Sequence, residues 1–213
     1  MFNPDKKYIH SDGIDLPLMY CYLAGRIAGE CIDKCLEWRH KIINHYANYK
    51  GKGVYPISFL DALNSKEADS IDKKGLTSSI PPNLIYDKDI LSVEKADVVV
   101  AMMDDYMEEG IQEFLTDYQE QELCEVNWRY GGFDILRDKI TNRRPNWGTD
   151  YEVSIAMYLK KPTILIAGNE RQKKMLELHP FMKRASVIVG SVDELLEKKW
   201  LNILYKSIAG AIY

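Results

Sequence analysis

Apolar residues fall along this chain in short unbroken runs, separated by stretches in which they recur every three or four positions. That alternation predicts strands interleaved with helices. Residues 1–16 are polar and turn-rich and read as an irregular lead-in. Leu18-Met19-Tyr20-Cys21-Tyr22-Leu23-Ala24 then forms a nearly continuous apolar run, the pattern of a strand buried on both faces. A helix is expected from roughly Glu30 to Tyr49, with Ile32, Leu36, Ile43 and Tyr46 at helical spacing and Gly51 and Gly53 as stops. Val54 to Phe59 reads as a second strand, and Pro56 inside it places it at a sheet edge. Residues 61–82, charged and ending in Pro81-Pro82, read as a loop. A helix from about Leu84 to Lys95 leads into a buried strand, Ala96 to Met103.

Beyond Asp104 the simple alternation stops. The acidic stretch Glu108 to Glu125, the break at Gly131-Gly132 and the polar turn Thr141-Asn142-Arg143-Arg144-Pro145 read as an insertion of about 104–145. Connections this long inside a domain are usually functional or mobile. Alternation resumes with a helix opening at Asn146-Trp147-Gly148-Thr149-Asp150-Tyr151-Glu152 and running through Leu159 to Lys160. A fourth strand follows at Pro162 to Ala167, then a helix from Asn169 to Leu178 and a fifth strand from Ala185 to Val189. Ser191-x-x-Glu194 caps a last helix ending near Ala209. The class expected is α/β: a flavodoxin-like, doubly wound, five-stranded parallel sheet in the order 2-1-3-4-5, as one domain with an inserted segment after the third strand. Ligand crevices in such sheets lie at the carboxyl ends of the strands, where the order reverses between the first and third.

Composition narrows the functional classes. The chain has 213 residues, 46% of them hydrophobic, and a formal net charge of −4. That is enough apolar material for one substantial core, and it offers no basic footprint for polymeric nucleic acid. No apolar run approaches the roughly 20 residues needed to span a bilayer, and the start carries no apolar signal core, so no membrane partner and a cytoplasmic location are expected. Cys21, Cys31, Cys35 and Cys124 form no Cys-x-x-Cys pair, and the four histidines are scattered, which argues against a zinc site and a disulfide framework. Reduced, packed thiols are expected.

Glu152 is the first candidate for chemistry. Thr149-x-x-Glu152 reads as a capping box, in which the Thr side chain accepts from the Glu152 amide and the carboxylate reaches back. Glu152 also stands three, four and seven residues before Ile155, Ala156 and Leu159, on the stripe that faces the core. A carboxylate there is costly without a partner or a task. Tyr22, inside an apolar strand, needs a hydroxyl partner if buried, and Glu152 would serve. Gly25-Arg26-Ile27-Ala28-Gly29 joins a buried strand to a helix, so its amides and Arg26 are candidates for binding phosphate or hydroxyls, although a solvated Arg26 fits the spacing equally well. Asp89, on a helix whose apolar positions are Ile90, Leu91 and Val93, reads locally as a solvated surface group. Asp97 reads as a turn or capping residue.

Together these residues carry a resemblance. Tyr22-Leu23-Ala24-Gly25, then Tyr86-x-x-Asp89 eight residues before Asp97-Val98-Val99-Val100, then Gly148-Thr149-x-x-Glu152-x-x-x-Ala156, Lys161-Pro162 and the terminal Gly210-Ala211-Ile212-Tyr213 resemble the nucleoside 2-deoxyribosyltransferase family. The resemblance spans about 18–213 apart from 104–145. It implies nucleoside salvage chemistry: a glycosyltransferase that cleaves the N-glycosidic bond of 2′-deoxynucleosides and passes the sugar to another nucleobase. Glu152 would be the nucleophile, Asp89 the acid and base, and Tyr22 the residue that orients Glu152. Gly25, Arg26, Asn146, Gly148 and the carboxylate of Tyr213 would contact substrate. No metal or organic cofactor is implied. A homo-oligomer, dimer or hexamer, with active sites shared between subunits is. One departure stands out. The family usually has Asp six residues before the nucleophile, where this chain has Asn146. A neutral residue there, and a Gly-x-Ile-x-Gly loop like residues 25–29, are similar to the related 2′-deoxynucleoside 5′-monophosphate N-glycosidases, which makes nucleotide hydrolysis the alternative. A non-catalytic nucleotide-sensing module, with Glu152 as a mere cap, is the third reading. In the insertion, Trp128, Tyr130 and Phe133 are candidate base-stacking groups, set against a small satellite core.

Overall fold

The strand Met19–Gly25 has parallel partners on both sides, with Tyr22 opposite Leu60 on one and Val99 on the other. The computed structural model describes residues 8–11, 14–25, 32–47, 55–61, 82–103 and 147–210. The described elements are strands β1 (Tyr8–Ser11), β2 (Ile14–Pro17) and β3 (Met19–Gly25), helix α1 (Ile32–Ala47) and strand β4 (Ile57–Asp61). Helix α2 (Pro82–Lys95), strand β5 (Val98–Met102), helix α3 (Trp147–Tyr158) and strand β6 (Thr163–Ile166) follow. Helix α4 (Glu170–Leu178), a 3₁₀ turn at Met182–Arg184, strand β7 (Val187–Val189) and helices α5 (Val192–Glu197) and α6 (Trp200–Gly210) complete the list.

Among the described residues five strands form an all-parallel sheet in the order β4-β3-β5-β6-β7. This is the 2-1-3-4-5 order expected of a flavodoxin-like α/β fold. Its central strands are apolar throughout because both faces are covered. One face packs Cys21, Leu23, Val98, Val100, Ile164 and Ile166 against Ile42 of α1, Leu195 of α5 and Leu201 and Tyr205 of α6. The other packs Tyr22, Ala24, Val99, Ala101 and Leu165 against Val93 of α2 and Val153 and Ala156 of α3. β4 is an edge strand, as expected, but it runs Ile57–Asp61 rather than Val54 to Phe59 and so does not contain Pro56. The proline lies just ahead of the strand, where its carbonyl still accepts from the Met19 amide at 3.0 Å.

Four local expectations need correction. The lead-in is not irregular: β1 and β2 pair antiparallel, from Tyr8 opposite Pro17 to Ser11 opposite Ile14. The Pro17 carbonyl also accepts from the buried Tyr205 hydroxyl at 2.7 Å, which ties this hairpin to α6. The last helix is two helices, α5 and α6, because Lys199 takes a left-handed φ of 52° that interrupts the ladder. α3 stops at Tyr158, Lys160 has φ 57°, and Leu159 is exposed. Finally, α3 opens at Trp147, so Thr149 lies inside it rather than at its cap.

The other caps follow the sequence. Ser191 Oγ accepts from the Glu194 amide at 3.1 Å, while the Glu194 carboxylate accepts from the Gly190 amide at 2.6 Å. Asn169 caps α4 by accepting from the Gln172 amide at 2.9 Å. Asp97 accepts from the Tyr20 amide at 2.9 Å and its own amide donates back to the Tyr20 carbonyl at 2.7 Å, which locks the start of β5 to β3. Lys161 fastens the far ends of two helices. Its amide donates to Ala156 at the end of α3, and its Nζ donates to the carbonyls of Glu94, at the end of α2, and Ala96.

Cys21 and Cys35 are buried and take part in no disulfide among the described residues. Among the described residues no helix is long and apolar enough to cross a membrane. Cys31, Cys124, the loop at 62–81 and the segment 104–145, with Trp128, Tyr130 and Phe133, lie outside the described residues.

Candidate active site

Tyr22 lies on β3, between β4 and β5, with 0% of its surface exposed, and its hydroxyl must find an acceptor there. It donates to Glu152 Oε1 at 2.9 Å. Glu152 reaches that position because Thr149, Glu152, Val153 and Ala156, spaced by three and four, form the buried stripe of α3. Glu152 itself is 7% exposed. Since Lys161 fixes the end of α3 near the start of β5, the opening turns of α3 lie towards the carboxyl ends of the strands. This is the end where such sheets bind ligands.

α2 brings a second carboxylate. Asp89 stands four residues before Val93, which is fully buried against the sheet, so it shares that inward face. Its side chain is 13% exposed, and Lys88 Nζ lies 3.7 Å from Oδ1. The local expectation of a solvated surface group is therefore corrected. Leu91, one of the apolar positions that the sequence offers for the inward face, is 52% exposed.

The electrostatics follow from this crowding. Burial first, and then the negative charge of Asp89, push the Glu152 carboxyl up to about 8; the Tyr22 hydrogen bond, Arg39 and Lys88 act in the opposite direction. Burial also raises the Tyr22 hydroxyl, and the charges of Glu152 and Asp89 raise it further, so it remains a proton donor. Burial and the charge of Asp89 thus disfavour the ionised form of Glu152 in the free site. Two interacting carboxyl groups share one proton; here it favours Glu152, and a reaction with Glu152 as nucleophile and Asp89 as acid requires it on Asp89 instead.

Gly25 ends β3 where it packs without clearance. A Cβ there would lie 2.6 Å from Trp38 Cζ2, a distance that only a glycine avoids. Its carbonyl accepts from Arg39 Nη2 at 3.0 Å. Gly148 is different: it is exposed in the first turn of α3, with open space around its Cα. The structure therefore gathers Tyr22, Glu152 and Asp89, sets Gly25 at the strand end beside them, and leaves Gly148 at the start of the Glu152 helix. Arg26, Asn146 and Tyr213 lie outside the described residues.

Sequence reasoning passed over two cations, Arg39 and Lys88. Arg39 is fully buried, its Nη1 donating to the Cys35 carbonyl and its guanidinium lying 4.6 Å from the centre of the Trp38 ring. The signal was present: Cys35, Arg39 and Ile42 fall at helical spacing, and all three are buried. Among the described residues no group of three or more His, Cys, Asp or Glu side chains is placed to hold a metal ion. No model of a known protein family matches the chain, and no curated protein matches it significantly.

Proposed function

We propose that the protein is an N-glycosyl transferase acting on 2′-deoxynucleosides through a covalent deoxyribosyl ester of Glu152. What carries this reading is the buried Tyr22–Glu152 hydrogen bond with Asp89 close enough to raise the Glu152 carboxyl. Tyr22 holds Oε1, so attack on C1′ falls to Oε2. The C1′–N bond breaks as the ester bond forms, and the leaving base takes its electron pair with a proton from Asp89. An incoming base then displaces Glu152 from C1′ and gives its proton to Asp89, two inversions giving net retention. Burial keeps water from competing with the second base. Asn146 and Gly148 bind the sugar in this reading, Gly25 and Arg26 border it, and Tyr213 completes the site, within an oligomer of this chain.

Hydrolysis of 2′-deoxynucleoside 5′-monophosphates is the second reading, favoured by the neutral side chain of Asn146, which does not repel a phosphate. One experiment separates the two. The protein is incubated with deoxynucleosides and with their monophosphates, each with and without a second free base, and the products are identified by chromatography. A new nucleoside establishes transfer, and free base with deoxyribose 5-phosphate establishes hydrolysis. No cleavage of any substrate, with ligand affinity retained in Glu152→Gln, sinks both in favour of a binding module.

A further inference from the structure

We propose that Thr149 binds substrate, its hydroxyl forming a hydrogen bond with the 3′-hydroxyl of the sugar whose C1′ is held over Glu152. The inference rests on Glu152 being the nucleophile. Thr149 is 2% exposed and stands on the buried stripe of α3, three residues before Glu152. Helical residues at that spacing are neighbours, with Cβ atoms about 5–6 Å apart. A helical side chain also leans towards the amino end of its helix, so the Glu152 carboxyl reaches back over the turn that holds Thr149. The two polar groups therefore share one patch on the opening turns of α3, at the end of the sheet where such folds bind ligands. Glu152 has a partner there, the Tyr22 hydroxyl at 2.9 Å. The Thr149 hydroxyl makes no hydrogen bond to any of the described residues.

A buried hydroxyl without a partner costs free energy that a methyl group in its place does not, and valine has nearly the same shape. Capping does not account for the residue either, since α3 opens at Trp147 and Thr149 lies inside it. The sugar supplies the missing partner. In a β-2′-deoxynucleoside the base and the 5′-carbon project from one face of the ring and the 3′-hydroxyl from the other. A nucleophile that displaces the base attacks the face opposite it. Glu152 thus meets the face that carries the 3′-hydroxyl, the one hydroxyl of the sugar on that side, and Thr149 stands one helical turn from the attacking carboxyl. Their bond fixes the rotation of the ring over Glu152, and alignment of that kind is what the bond-forming step requires. The 2′-deoxynucleoside 5′-monophosphates carry the same 3′-hydroxyl on the same face, so the assignment is common to transfer and hydrolysis.

The test removes the two hydroxyls separately and together. In the full chain, kcat/KM is measured for the 2′-deoxynucleosides, their 5′-monophosphates and the 2′,3′-dideoxy counterparts of each, with the unmodified protein, Thr149→Val and Thr149→Ser. Thr149→Val is expected to lose about ten-fold on the 2′-deoxy substrates and less than about two-fold on the dideoxy ones. Thr149→Ser, which keeps the hydroxyl, is expected to stay within about three-fold of the unmodified protein on both. The different intrinsic lability of the dideoxy sugar cancels, because each substrate is compared with itself across the variants. An equal loss on both sugars in Thr149→Val is the mark of a structural role and overturns the proposal, as does no loss on either, or a loss in Thr149→Ser as large as in Thr149→Val. Where Thr149→Val does not fold, Thr149→Ala takes its place under the same criteria. If the unmodified protein cleaves none of these substrates, the glycosyl transfer reading fails, and calorimetric affinities for the same pairs decide the role of Thr149. A loss in Thr149→Val confined to the 2′-deoxy sugars supports it; equal changes for both sugars, or no binding of either, overturn it.

Discussion

The Tyr22 hydroxyl and the Glu152 carboxylate lie 130 residues apart in the chain and 2.9 Å apart in space. A strand and a helix separated by most of the sequence thus meet at one hydrogen bond, and both partners are buried. Removing the donor, as in Tyr22→Phe, deprives the Glu152 carboxylate of a charge-assisted bond worth about 1.5–3 kcal/mol. The expected result is a loss of about 10- to 100-fold in kcat/KM and a shift of its pH dependence to higher pH, read from initial rates across a pH series. An unchanged profile would mean that Tyr22 does not support the charged form.

In the unmodified protein the reactive form carries one proton on the pair, on Asp89 with Glu152 ionised, so kcat/KM should be bell-shaped and fall as pH rises through about 8, where the pair loses that proton. Asp89→Asn removes the like charge and the acid together, so the fall above 8 should vanish and a rising limb set by Glu152 alone should appear at lower pH. The maximum should drop by about 10²- to 10⁴-fold, because the leaving base loses its proton source. A maximum that survives the substitution would remove Asp89 from the acid role.

Stability should carry the same signature with the opposite sense. Glu152 is raised from an ordinary value of 4.5 to about 8, so its contribution to folding is intact below 4.5 and is lost as pH rises through 8. Glu152→Gln cannot ionise and escapes that loss. Its Tm should match that of the unmodified protein below pH 4.5, exceed it increasingly from there to about 8 and keep a constant margin above that, while cleavage falls by about three orders of magnitude or more. Equal Tm values across the whole range would show that Glu152 is not held neutral.

Gly25→Ala tests the packing beneath the site. With a Cβ 2.6 Å from Trp38 Cζ2, the ring or the strand must shift, at a cost of about 1–3 kcal/mol. Denaturant unfolding should show a lower midpoint with an unchanged slope. No change would mean that the ring moves aside freely.

The sheet was legible because buried parallel strands are written as apolar runs: Leu18 to Ala24 covers all of β3 but Gly25, Ala96 to Met103 holds the whole of β5, and the strand expected at the edge is there. Tyr22 and Glu152 were legible as a pair for a similar reason, a polar group on a core-facing position needing a partner. The β1–β2 hairpin was missed although Asp12-Gly13 stands between its strands, because such short polar strands gain their support from Tyr205, far away in sequence. The burial of Asp89 was hidden by the choice of stripe. On a helix with apolar residues at 90, 91 and 93, Val93 faces inward and Leu91 outward, a choice that packing against the sheet makes and local periodicity does not. Arg39 escaped notice because arginine is normally read as surface, even when it continues a buried row.

Lys161 ties together the two helices that carry the carboxylates. Its side chain bonds the carbonyls of Glu94 and Ala96 and its amide bonds that of Ala156, which joins the ends of α2 and α3. Ala156 stands four residues after Glu152 and Glu94 five after Asp89, so one lysine anchors the helical turns next to both candidate groups.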